Sequence, residues 1–158
     1  MSTEFESMMA ENAFRVCCEA LDERKWNYKK DEEKLTIHIG IAGDDLPMLF
    51  TISINADDQR VALHSTLPFQ MPKHNRDIGS LVTNFINYRL ANGGFDYNIQ
   101  DGTIRFRLSC SFRGSVIEKD CFTYMIDLSC FTVNQYNNKL FMLSKDEISF
   151  AEFLDLVT

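Results

Sequence analysis

The chain is poor in the residue types that announce a chemistry. Seven Gly and three Pro in 158 residues exclude collagen-like and low-complexity architectures and leave no Pro-rich or Gly-rich linker. Cations are the minority: 16 Lys plus Arg stand against 23 Asp plus Glu, a formal net charge of −7. A nucleic-acid binder carries the opposite balance, because phosphate neutralisation dominates its affinity, so nucleic acid is not an expected partner. No apolar run approaches the about 20 residues needed to span a bilayer, and no membrane insertion is expected. Residues 1–13 hold acids and no early Lys/Arg cluster, which is not the pattern of a signal peptide. A cytoplasmic protein is the expectation.

Metal ligands and nucleophile motifs are equally sparse. Five Cys is an odd count, which argues against a fully paired disulfide framework. Cys17 and Cys18 are adjacent on a predicted helix, so their side chains diverge by about 100°. Cys121 and Cys130, nine residues apart on another, fall on opposite faces. The thiols read as reduced and core-filling, with no intrachain disulfide. There is no C-x-x-C and no H-x-x-x-H, so neither a metal nor another cofactor is expected. His38 and His64 fall on the polar register of two predicted strands with a third between them. That places them about 9.5 Å apart, too far to share one zinc ion. No G-x-S-x-G elbow, G-x-G-x-x-G or phosphate-binding loop occurs. No catalytic residue is assigned, and the chain is not expected to be an enzyme.

What is present is core material: 45% hydrophobic residues, with 13 Phe and five Tyr. Residues 3–23 predict a helix whose stripe is Phe5, Met9, Ala13, Val16, Cys17 and Ala20. Phe14, Cys18 and Leu21 widen the apolar arc to roughly 200°, more than one core-facing stripe needs. Period-two alternation then predicts strands over 26–29, 35–41, 48–55 and 60–67, an antiparallel meander ended by Pro68 and Pro72. A second helix over 75–91 carries Ile78, Leu81, Val82, Phe85 and Ile86 on one side. Asn92-Gly93-Gly94 is expected to end it, with one glycine left-handed. A hairpin follows over 95–99 and 103–110, turning at Gln100-Asp101-Gly102. A third helix is predicted over 117–136, and Ser144-x-x-Glu147 reads as the capping box of a short last one. The set makes one α+β domain over 1–158: an antiparallel meander sheet plus a hairpin, packed with helices on one face.

Leu67-Pro68, then Asn84-Phe85-Ile86-Asn87, Gly94-Phe95-Asp96 and Asp101-Gly102-Thr103-Ile104-Arg105-Phe106-Arg107 carry a resemblance. In these motifs the chain resembles the YbjN-like family of bacterial sensory transduction regulators. Asn84 and Asn87 match the paired Asn of that family's helix, Gly94 its Gly before Phe, and Arg107 its hairpin arginine. The order of elements is also similar to that of type III secretion chaperones, small acidic dimeric cytosolic proteins that hold a partner polypeptide. The resemblance implies a type III secretion chaperone-like fold and a protein-interaction role without catalysis.

Two readings of function follow from the residues. In the first, the chain is a chaperone-like or regulatory interaction module, a homodimer that binds a partner polypeptide. The residues assigned to that contact are Phe14, Cys18 and Leu21 on the first helix and Tyr124 and Phe131 on the third, since apolar surface of this extent is uncommon on a soluble monomer. In the second, the polar sheet face is a candidate ligand face for an anion. Arg105 and Arg107, at i and i+2, project from one side of a strand and would act with His38 or His64.

Overall fold

A computed structural model describes residues 1–158. The first helix, α1 (Glu4–Glu23), is started by Thr3, whose hydroxyl accepts from the Glu6 amide while the Glu6 carboxylate accepts from the Thr3 amide. This reciprocal cap satisfies two amides that a helix start leaves unpaired. Four strands follow: β1 (Lys29–Asp31), β2 (Thr36–Ile41), β3 (Met48–Asn55) and β4 (Arg60–Gln70). After α2 (Arg76–Arg89) come β5 (Gly94–Tyr97) and β6 (Thr103–Ser111), then α3 (Lys119–Ser144) and α4 (Phe150–Val157). All neighbouring strands are antiparallel, in the order β1-β2-β3-β4-β6-β5.

Alternation decides the layers. Ile37, Ile39, Phe50, Ile52, Ile54, Val61, Leu63, Ile104 and Phe106 are buried on one face of the sheet, because successive strand side chains point to opposite sides. On that face α3 lies across β3, β4 and β6, with α1 against α3 and β3 and α2 against β5. One continuous core of 33 buried residues results. The other face of the sheet carries no helix. The fold is therefore α+β, with the helices on one face, as the patterning indicates.

Tertiary context shifts several boundaries. The first strand is Lys29–Asp31 rather than 26–29, and the turn after it falls at 32–35, where Leu35 takes a φ of 49° instead of the expected strand position. Pro68 does not end the meander: β4 continues to Gln70, and its ladder with β6 is irregular between Thr66 and Gln70. Its pairing with β3 ends at His64, so Pro68 removes no needed donor. Gly79, Val82, Thr83 and Ile86 face the core from α2 while Leu81 is exposed. This helix sits over the sheet's β5 edge, where the Tyr97 hydroxyl donates to the Arg76 carbonyl. The helix stops at Arg89, with Leu90 already extended, and Gly93 at φ 73° turns the chain into β5 rather than capping α2. Leu140 and Leu143 keep α3 packed as far as Ser144. The last capping box is accordingly Ser149 with Glu152, not Ser144 with Glu147.

The largest correction concerns α1. Phe14, Cys18 and Leu21 are buried within the chain itself and are not available as a dimer surface. One flank of the wide apolar arc meets α3 and β3. The other is covered by the segment leading into β1 and β2, with Leu35 and Lys30 lining the same cleft as Phe14 and Cys18. The Tyr28 hydroxyl fastens that segment by donating to the Asp22 carboxylate at 2.8 Å. An arc too wide for one packing surface has two, both intramolecular.

Candidate functional sites: the open sheet face and the outer face of α3

The helix-free face is organised by strand register. Lys29, His38, Thr51, His64, Arg107 and Gly94 are successive cross-strand partners, one from each strand, forming a row that crosses the whole sheet. His38 Nδ1 lies 3.1 Å from the Thr51 hydroxyl, a bond in either direction depending on the tautomer. His38 and His64 share the face but are separated by β3, as the alternation indicates. No group of three or more His, Cys, Asp or Glu is placed to hold a metal ion.

Arg105 and Arg107 do project together, and both are engaged. Asp96, opposite Arg105 in the β5–β6 hairpin, accepts from Arg105 at 2.9 Å and from Arg107 Nε and an η nitrogen at 3.0 Å each. The Arg107 hydrogen bond, reinforced by Arg105, holds the Asp96 carboxyl below the usual carboxylate range despite its partial burial. Burial, followed by the positive charge of Arg105 and Arg107, lowers the pKa of His64. One carboxylate offsets one of the two positive charges and occupies donors of both guanidinium groups, so an incoming anion would have to compete with it for those donors. Alternation nominates Asp96 for this face, since Phe95 before it is inward. Its partner is set by a loop over 99–102, longer than the Asp-Gly turn, which places Asn98 against Thr103 and Asp96 against Arg105.

The motif residues serve the fold. Asn87 accepts from the Phe95 amide at 2.7 Å and donates to the Phe95 carbonyl at 2.9 Å, fastening α2 to β5. Gly94 packs against that amide side chain, and Asn84 is exposed.

The structure places Tyr124 and Phe131 where the patterning puts them, outside the core. They lie seven residues apart on α3, exposed to 54% and 67%, on nearly the same side of the helix. The Tyr124 hydroxyl accepts from Asn92 at 3.1 Å, and between the aromatics Asp127 pairs with Arg24 at 2.6 Å. Phe5, by contrast, belongs to the expected inward stripe of α1 and is exposed, because burial on that helix begins only at Ala10. It lines a shallow cleft with Val116 of the β6–α3 connection.

The architecture defines a class: this is the fold of YbjN and of type III secretion chaperones. YbjN from E. coli superposes with a TM-score of 0.57 at 10% identity, over 78% of this chain and 87% of that one. The HopA1–SchA chaperone–effector complex gives 0.50 at 13%, over 80% and 94%. The ExsC–ExsE complex gives 0.51 at 11%, over 78% and 88%. No protein-family model and no curated protein matches the chain significantly in sequence. No helix is long and apolar enough to cross a membrane.

Proposed function

We propose that the chain is a non-enzymatic protein-interaction module, chaperone-like or regulatory, that binds a partner polypeptide and acts as a homodimer in the cytoplasm. The observation that carries this is the exposed Tyr124–Phe131 pair on α3, a helix whose opposite side is already committed to the core. Large aromatic side chains left in water are favourable anchors for association. A two-fold contact would cover both copies of the patch at once. The fold is shared with a chaperone solved in a complex with its effector and with ExsC solved in a complex with ExsE, which supports a polypeptide partner here. The helix-free sheet face, with its polar row and short edge strands, is the surface offered to that partner.

Light scattering at micromolar concentration tests the dimer. The wild type should run at twice the 18.3 kDa of one chain, and Phe131→Glu should shift it toward the monomer, with Leu81→Glu on α2 as a control. A monomeric wild type ends the dimer reading. A Phe131→Glu variant that stays dimeric moves the contact off α3. Affinity capture from the source cell by wild type and by Thr51→Glu tests the sheet face. A polypeptide retained equally by both is not held there.

A further inference from the structure

We propose that Cys110 and Cys121 form an oxidation site: a thiol pair that a peroxide converts to an intrachain disulfide, tying the end of β6 to the start of α3. Their sulfur atoms lie 4.0 Å apart, although the residues belong to different elements. Cys110 is the next-to-last residue of β6 and pairs with Val61, so its side chain points to the helix-bearing side of the sheet. Cys121 is in the first turn of α3, which begins over that end of the strand. The divergence of Cys121 from Cys130 along one helix says nothing about a sulfur presented by a strand: no disulfide is present, but Cys110 and Cys121 are close enough to form one.

Access separates these two thiols from most of the others. Cys17 and Cys18 are buried in the core. Burial raises the Cys17 thiol strongly and the Cys130 thiol to about 12, and burial followed by the neighbouring Cys110 raises the Cys121 thiol as well. What singles out this pair is therefore its sulfur-to-sulfur distance and partial exposure. Cys110 and Cys121 are both partly exposed, and all five are free thiols in this structure. A disulfide needs its sulfurs at about 2.05 Å, so the pair must close by roughly 2 Å. Phe112 and Ile117 hold the ends of the connection in the core, so the closure falls to rotation of the two cysteine side chains, with the exposed residues 113–116 between them.

The chemistry balances with a peroxide as the oxidant. One thiol takes an oxygen from hydrogen peroxide to give a sulfenic acid and water. The second sulfur then attacks the first, the S–O bond breaks, and a second water leaves. Two electrons and two protons pass from the protein to the peroxide. The bond closes a ring over residues 110–121 and immobilises the segment that carries Val116 beside Phe5. Both sulfurs belong to one chain, so the bond forms with or without a dimer.

The test treats the full chain with hydrogen peroxide, then denatures it, alkylates it with N-ethylmaleimide and maps peptides by mass spectrometry. The expected product carries three alkylated thiols where untreated protein carries five, and it is about 2 Da lighter before alkylation. Its single cross-link joins Cys110 to Cys121, and dithiothreitol reverses it. Cys110→Ser and Cys121→Ser should each abolish the cross-link, leaving a sulfenic or more oxidised cysteine at the remaining position. Five alkylatable thiols after peroxide, a link involving Cys17, a link between chains, or sulfinic acid without any link would each overturn the proposal.

Discussion

Gly93 offers the sharpest test of how the α2–β5 corner is built. Its φ is 73°, and a Cβ placed on it would stand 2.7 Å from Phe106 Cζ and 3.1 Å from the Arg107 carbonyl oxygen. Phe106 has no room to retreat, being fully buried and set edge-on to Phe95 at 5.3 Å between centroids. Gly114, in the β6–α3 connection, has nearly the same φ of 70°, but a Cβ there would meet nothing within 4 Å. The two positions therefore separate backbone strain from overpacking. An L-residue in the left-handed region costs about 1–2 kcal/mol, and forcing a methyl into a packed core adds about 1–3 kcal/mol. Gly114→Ala should lose about 1–2 kcal/mol, and Gly93→Ala about 2–5 kcal/mol as the sum of both terms. Urea unfolding followed by circular dichroism measures each, provided the slope with denaturant is unchanged. If the two variants agree within about 0.5 kcal/mol, Phe106 does not close the corner and the reasoning fails.

Two predictions concern titration on the open face. The folded-state pKa of Asp96 is depressed, chiefly by Arg107, so its stabilising contribution is present above the unfolded value of about 3.9 and is lost as pH falls through the folded value. Asp96→Asn should flatten that acid limb in urea midpoints, and a limb identical to the wild type's would show that the clamp contributes nothing. The folded-state pKa of His64 is also lowered, first by burial, so stability should decline as pH drops below about 6.5 toward the folded value. His64→Gln should remove that decline, and its persistence in the variant would assign it to another group.

Much of this architecture is determined locally. Side chains alternate along any strand, so Phe50, Ile52 and Ile54 declare a buried face wherever β3 ends up. With Phe95 inward, alternation likewise sends Asp96 to the polar face, whereas its pairing with Arg105 depends on a loop over 99–102 that is longer than an Asp101-Gly102 turn. The same periodicity puts His38, His64, Arg105 and Arg107 on the polar face and leaves Tyr124 and Phe131 outside the core. Other features depend on which distant segment arrives. Phe14, Cys18 and Leu21 make α1 apolar on a second flank, but only the β1–β2 segment packing there turns an apparent docking surface into core. The pairing of β6 with β4, which sends β5 to the edge, is a choice among sheet neighbours that no local pattern encodes. That pairing, and the placement of α3 across it, bring Cys110 and Cys121 together. Helix and strand periods specify the direction of a side chain within its own element. The neighbour it meets is decided by how the elements pack.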